Sequence, residues 1–376
     1  MRYLKKYLVN CIKSLDPWLA AFTLALSFVG LVTIFGAVDN FGKRKLIMQV
    51  LMTAAGIIFT VIIANIDYHH VVDRLWIFMI VFSVAILGIT LIFGSSGEAR
   101  ETSNKAWLEI PIVKIAIQPS EFVKITMVCT FAKHLSLVRD RINKPLSLLL
   151  VAAHAGLIVG LILLSGDLGV ALVYMGFLLI MLFCAGLSGW YYLGGIGVII
   201  PLIPILWDKM ADYQKKRIIV GFNPELDPLD KGLQPLMSKS CVENGGLFGI
   251  GLFGKGIYEN LAASHTDFIF ATVCEKFGIC GGIFTVGLLL AIVVRILMIA
   301  KRCGNDYGAY ICVGVAAIII IQTVENIGMC LAMLPVIGIT LPFVSCGGSS
   351  VLATYILVSL VHSVNRHRLH MRDGRV

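Results

Sequence analysis

Charge is what this sequence has least of: Asp, Glu, Lys and Arg make up 14% of its 376 residues, where an ordinary soluble domain carries roughly 25%. That shortage excludes a disordered chain, and the complementary 58% of hydrophobic residues excludes a soluble enzyme on a single anchor. Acidic residues are scarcer than basic ones, 22 against 31. The basic residues are nevertheless scattered between apolar runs and form no single stripe, so nucleic acid is not an expected partner. Also missing are any CxxC pair and any Cys/His metal spacing; of the ten cysteines, Cys129, Cys184, Cys274, Cys312 and Cys330 fall in or against apolar runs, and the set reads as free thiols. No repeat of 20–50 residues and no inverted pair of broken helices is apparent, which weighs against a transporter.

Long hydrophobic runs are what the sequence has instead. Ten of membrane length lie near 17–37, 45–66, 74–94, 118–136, 146–164, 168–186, 189–207, 267–299, 308–333 and 342–363. The expected fold is therefore all-α, a polytopic membrane protein of about ten transmembrane helices in a single domain over 1–376, with one long extracytoplasmic loop, 208–266, between the seventh and eighth helices. The first run follows Lys5, Lys6, Lys13 and Asp16-Pro17 without a cleavable signal pattern, so it is expected to remain as a helix. An even count puts both termini on one side. Sixteen basic residues fall on that side, from Arg2 to Arg375, against six on the short opposite loops, Lys43, Arg44, Lys45, Arg100, Lys105 and Lys114. Both termini are thus expected in the cytoplasm of a multi-pass plasma-membrane protein. The long loop, with Pro224, Pro228, Pro235 and the glycines from Gly245 to Gly256, reads as turn-rich, without a core of its own and folded back over the membrane face.

A charge at mid-bilayer costs roughly 2.5–3.5 kcal/mol on the insertion scale, so the ionisable residues in these runs need a partner or a wet cavity. The fourth run opens Gln118-Pro119-Ser120-Glu121, with Lys124 three residues after Glu121 on the same helix face; the two form either a buried pair fastening helices or part of a substrate site. Gln118 through Ser120 are placed to satisfy the open amides of that helix start. Asp167 sits in a tight turn and is either a helix N-cap or a site carboxylate. Asp267, in His265-Thr266-Asp267-Phe268-Ile269-Phe270, is either a cap or a general base at the mouth of a cavity. Glu275 follows it by eight residues, about 80° round a helix, so both can line one cavity at different depths. Gln322, Glu325 and Asn326 share a stripe suited to interhelical hydrogen bonds. Pro335 to Ser350 is a Pro/Gly-broken connection entering a Gly/Ser-rich helix start, where Ser345 and bare amides can approach an anion. Lys215, Lys216 and Arg217 in the outer loop can attract an anionic headgroup.

In this order, these residues resemble the SEDS family of polytopic bacterial proteins (shape, elongation, division and sporulation). The resemblance spans nearly the whole chain through Gln118-Pro119-Ser120-Glu121 with Lys124, Asp167-Leu168-Gly169, Asn223-Pro224-Glu225-Leu226-Asp227-Pro228, Gly245-Gly246, the His265 to Phe270 motif and Pro335 to Ser350. The Asn223 to Pro228 loop, Ser238-Lys239 and Glu325 to Met329 lean toward the RodA branch. The resemblance implies a peptidoglycan glycosyltransferase that polymerises lipid II into a nascent glycan strand at the outer membrane face, beside a class B penicillin-binding protein, and releases undecaprenyl pyrophosphate. It makes Asp267 the residue on which activity depends. Lys124, Lys239, Lys216 and Arg217 become candidates for holding the anion, with Glu121 positioning Lys124, and Asp167, His265, Glu275 and Ser345 complete the expected substrate site. A divalent cation, Mg or Mn, can share the pyrophosphate charge, although no ligand cluster in the sequence requires one. Departures from the family pattern fall at Lys105-Ala106, Ser165-Gly166, Leu261-Ala262-Ala263, Lys276 and Cys346. They keep two other readings open, a non-catalytic scaffold that recruits a penicillin-binding protein and a lipid II flippase.

Overall fold

The structure is a computed structural model and describes residues 15–96, 105–110, 115–209 and 212–372. The basic residues Arg2, Lys5, Lys6, Lys13, Arg100, Lys114 and Arg375, used above to orient the chain, lie outside the described residues. Helices occupy every apolar run: α1 (Pro17–Gly36), α2 (Lys43–Ala64), α3 (Tyr68–Phe93), α4 (Pro119–Val138), α5 (Pro145–Leu164), α6 (Leu168–Cys184) and α7 (Gly189–Lys209), then after the outer loop α10 (Ile269–Lys301), α11 (Asp306–Cys330) and α12 (Gly348–Arg372). Proline stands at the first turn of α1, α4 and α5, where its missing N–H leaves nothing unpaired. Seven of the described helices are long and apolar enough to cross a membrane. α4 is not among them; it is an enclosed helix that buries Ser120, Glu121, Lys124 and Thr130 with its apolar residues. α6 and the apolar part of α7 are shorter.

The centre of the molecule is built from α4, α6, α11 and α12, with α12 along α2, and α10 against α11 and α1. Large apolar side chains such as Phe28, Ile77, Phe78 and Phe183 face outward, as a lipid solvent requires. One small sheet departs from the all-helical expectation: β1 (Leu108–Ile110) pairs antiparallel with β2 (Ile115–Ile117) in the connection from α3 to α4.

The loop expected over 208–266 holds two helices as well as turns, α8 (Asp212–Phe222) and α9 (Leu233–Gly245). It does fold back onto the bundle. Ser238 Oγ donates to the Cys330 carbonyl at 2.9 Å, and Gly221 lies so close to Pro335 that a Cβ would meet its ring at 2.7 Å. The glycine-rich part docks into a break in α10. At Gly278, with φ 69° and ψ −174°, the helix opens, and the strap 246–251 takes its place in the ladder. Ile250 N and Gly251 N donate to the carbonyls of Glu275 and Lys276 at 2.9 and 3.1 Å, while Ile279 N and Cys280 N donate to Gly246 and Leu247 at 2.9 and 3.3 Å.

A buried charge network closes the opposite end of the bundle. Arg295 grips Asp16 with Nε to Oδ1 at 2.8 Å and Nη2 to Oδ2 at 2.6 Å, Asp16 caps α1 at Leu19 N, and its own N–H donates to His362 Nδ1. Burial alone would raise the Asp16 pKa, but the Arg295 and Leu19 hydrogen bonds together hold it below its ordinary value. Because Asp16 is 4% exposed, Arg295→Met strands its carboxylate, and thermal unfolding in detergent is expected to show a loss of about 3–5 kcal/mol. A surface-like effect under about 1 kcal/mol would show that the pair is solvated.

Candidate active site

Asp267 sits in a tight turn between α9 and α10, just outside the helical span. Thr266 N and Phe268 N both donate to the Ala263 carbonyl, and Ala263 is held at φ 52°, a left-handed conformation that non-glycine residues adopt at a cost. Asp267 is not a helix cap, since α10 begins after Phe268 with no side-chain cap bond. Its position is fixed from outside. Asn326 Nδ2, buried on α11, donates at 2.7 Å to the Asp267 carbonyl and at 2.7 Å to that of Ile339. Ser345 Oγ donates to Thr266 O at 2.7 Å while accepting from Leu341 N at 2.7 Å, and Cys346 N donates to His265 O at 2.8 Å. The connection 334–347 is thereby fastened along the whole turn that carries Asp267.

The carboxylate itself looks onto Gly338, whose φ is 74° and where a Cβ would lie 3.5 Å from Asp267 Oδ2. Glycine supplies both the backbone conformation and the room. Burial raises the Asp267 pKa from 3.8 to about 6, against a smaller downward pull from the Thr266 side chain. A carboxylate poised near 6 is deprotonated at neutral pH yet basic enough to accept a proton from a hydroxyl in a transition state.

The second group of polar residues converges on the same connection. Glu121 Oε1 accepts from Lys124 Nζ at 2.7 Å, and both side chains are almost wholly buried. Lys124 also faces Glu325 of α11. Gln118, expected to cap its own helix, instead donates through Nε2 to Asp167 Oδ2 at 2.8 Å, and Asp167 Oδ1 caps α6 at Val170 N, 3.1 Å away. Burial raises the Asp167 pKa, with the Val170 and Gln118 bonds opposing. Gly169 touches the Ile337 carbonyl, since a Cβ there would stand 2.5 Å from it. Ile337 thus meets the Asp167 corner, Gly338 meets Asp267, and Ile339 is held by Asn326. Three consecutive residues join the two clusters.

Other expected site residues are not gathered here. Glu275 does not line a cavity with Asp267: its carboxylate accepts from Asn244 Nδ2 at 2.7 Å and from Ile257 N and Tyr258 N at 2.8 Å, and Asp267 stands in the turn before α10, so the helical spacing that would align the two does not apply. Its neighbour Lys276 donates to the carbonyls of Gly36 and Leu252 at 3.1 and 2.9 Å and to Tyr258 Oη at 3.0 Å. Lys216 is exposed and pairs with Asp227 at 2.7 Å, and Lys239 is exposed with Glu243 at 4.0 Å on the next helical turn. The Arg217 side chain lies outside the described residues. Among the described residues no three His, Cys, Asp or Glu side chains cluster to hold a metal ion. Ser345 and His265 are both in place, the latter accepting from Lys45, a residue that the sequence marks only as a topology charge.

The Glu121 and Lys124 pair makes a double-mutant test. Lys124→Met leaves a buried carboxylate and is expected to lower stability by about 3–5 kcal/mol, while adding Glu121→Gln restores most of that loss. Additive losses in thermal melts would show that the two charges are not coupled.

Comparison with known proteins follows this geometry. The FtsW/RodA/SpoVE family model, described as a cell cycle protein, matches residues 15–370. The chain is 33% identical over 370 residues to stage V sporulation protein E of Bacillus subtilis, covering 94% of this chain and 97% of that one. To the peptidoglycan glycosyltransferase MrdB of Escherichia coli K12 it is 32% identical over 367 residues, covering 94% of each. Among solved structures, a chain of a peptidoglycan synthase complex that coordinates polymerization and crosslinking superposes with a TM-score of 0.81 at 27% identity, over 94% of this chain and 98% of that one. A family model matched over nearly the full length, and relatives above 30% identity over nearly all of it, show that this chain belongs to the FtsW/RodA/SpoVE family of SEDS membrane proteins.

Proposed function

We propose that this chain is a peptidoglycan glycosyltransferase that polymerises lipid II at the outer face of the plasma membrane. The observation that carries the proposal is the Asp267 carboxylate, carried on a turn whose backbone carbonyls are held by Asn326, Ser345 and Cys346, facing Gly338 and poised near 6. In the reaction, the 4-hydroxyl of one lipid-linked disaccharide attacks the anomeric carbon of another. The new O4 to C1 bond forms as the C1 to phosphate-oxygen bond breaks, the hydroxyl proton passes to Asp267, and undecaprenyl pyrophosphate departs with the electron pair. The pairing of Glu121 with Lys124 presents a fixed cation beneath the same connection, where it stabilises negative charge on the departing group. The chain reads as ten spans with both termini in the cytoplasm, and as working beside a class B penicillin-binding protein. The synthase complex to which its fold is similar supports such a partner. The Asn223 to Pro228 loop, Ser238-Lys239 and Glu325 to Met329 support a role in cell elongation.

The test is polymerisation of purified lipid II by the detergent-solubilised protein with its co-purified class B partner, transpeptidation blocked, beside Asp267→Ala. Strands from the wild type alone establish the reaction and its base; strands from neither, with the complex intact, favour the scaffold. Depletion then separates the roles: rounded cells indicate elongation, and filaments indicate division.

A further inference from the structure

Lys45 stands in the first turn of α2, and its ammonium donates to the ring of His265, closely at Nε2 and 3.5 Å from Nδ1. Among the described residues no Asp or Glu oxygen comes within 4.0 Å of it, although six other lysines and arginines make such pairs. Lys45 is nonetheless half-buried. An ammonium in such a place normally recovers its lost hydration from a counter-anion, and a neutral imidazole supplies only a lone pair. Burial first, and the Lys45 charge second, hold His265 down to a pKa of about 4, so the ring stays an acceptor at neutral pH and leaves the cation uncompensated.

The pair is rigidly placed. Cys346 donates through N to the His265 carbonyl at 2.8 Å and through Sγ to the Lys45 carbonyl at 3.6 Å. The Phe41 ring lies tilted against the His265 ring at 5.4 Å and edge-on to Tyr258 at 6.1 Å, which packs an aromatic group against the imidazole. His265 is two residues from Asp267, a backbone reach of about 7 Å at most. Among the described residues, a cation without an anion therefore stands beside the turn that carries the proposed base, and the printed partners of its ammonium are the two nitrogens of the His265 ring.

We propose that Lys45, held in position by His265, is a binding residue for a pyrophosphate-class anion that enters beside Asp267, and that the empty coordination of its ammonium is filled by the substrate. This rests on the glycosyltransferase reading for the identity of that anion, a polyprenyl-linked pyrophosphate. The geometry of the cation stands without it. Lys45 is the binding residue and His265 the positioning residue: Nε2 fixes one ammonium proton and leaves the others aimed away from the ring.

The experiment uses the full chain in lipid nanodiscs with labelled histidine, and the His265 ring signals are assigned by their loss in His265→Gln. Inorganic pyrophosphate is expected to shift those signals saturably in the wild type, to leave them unmoved in Lys45→Met, and to bind at least tenfold more weakly there. Lys45→Arg keeps the charge, guards against a folding defect in Lys45→Met, and is expected to retain most of the shift. In lipid II polymerisation, Lys45→Met is expected to raise KM at least tenfold with a smaller change in kcat. A pyrophosphate shift that persists in Lys45→Met, or none in the wild type, overturns the proposal. So does an equal shift from phosphatidylglycerol that pyrophosphate fails to displace, because the site then holds a lipid headgroup. Should the wild type make no strands while the Lys45-dependent shift remains, the glycosyltransferase reading fails and the anion site stands.

Discussion

Asp267→Asn is expected to lower glycan polymerisation by about 10²–10⁴-fold, the range that a positioned general base supplies, while leaving the protein more stable at neutral pH. The two outcomes share one cause. Burial raises the Asp267 pKa from 3.8 to about 6, so the native state holds a charge it would rather neutralise, at a cost on the order of 2–3 kcal/mol above pH 6. The sign follows from the direction of the shift. Below pH 4 the carboxyl is protonated in both folded and unfolded chains and contributes nothing. Between 4 and 6 the unfolded chain ionises while the folded one does not, and the penalty grows with pH until it is complete above 6. Thermal melts of Asp267→Asn and wild type should therefore converge at pH 4 and separate at pH 7.5, with the variant higher. Polymerisation by the wild type should fall about tenfold per pH unit below 6 as the base is lost. A variant that is inactive and also less stable would mean that Asp267 is a structural residue whose loss disturbs the turn.

The helices were legible because an apolar run of membrane length admits few other readings, and the prolines at 17, 119 and 145 mark helix starts by their chemistry. Asp267, Asp167, Glu121 and Lys124 were legible for a related reason, that a charge in or beside an apolar run demands explanation. Their convergence was not. It depends on Ile337, Gly338 and Ile339 touching three different elements, and contacts made by an irregular connection, across up to 168 positions in the case of Gly169 and Ile337, leave no periodic trace. Helical spacing puts Glu275 in one cavity with Asp267 only if both lie on the helix; Asp267 falls in the turn before α10, and the Glu275 carboxylate is taken up by Asn244 and by the amides of Ile257 and Tyr258. The glycines from 245 to 256 looked like turns, and part of their purpose is instead close approach. A Cβ at Gly245 would lie 2.0 Å from the Cys274 carbonyl, and one at Gly249 would lie 2.2 Å from that of Lys276. Lys45 was hidden among the topology charges, and only its partner shows that it points into the site.

The strap yields the second large effect, Gly278→Ala. At φ 69° and ψ −174° Gly278 occupies a region essentially reserved for glycine, and a Cβ there would meet the Leu247 carbonyl oxygen at 2.2 Å and Phe248 N at 2.4 Å. Neither contact can be relieved by a side-chain rotation, because both atoms are backbone. Relaxing them means withdrawing the strap, and with it the bonds to the Glu275 and Lys276 carbonyls and the cage around both side chains. A loss of about 3 kcal/mol or more is expected, which corresponds to local opening of the 246–258 segment more often by a factor of about 10². Hydrogen exchange at Ile250, Gly251, Ile257 and Tyr258 should accelerate by that factor. Polymerisation should fall with it, since the same strap leads directly into the turn that holds Asp267. Gly287→Ala is the control in the same helix: nothing lies within 4 Å of a Cβ there, so the substitution should be neutral or stabilising by up to about 1 kcal/mol through helix propensity. If the two variants melt and exchange alike, the break at Gly278 is an incidental kink, and the burial of Glu275 and Lys276 must be maintained by something other than the strap.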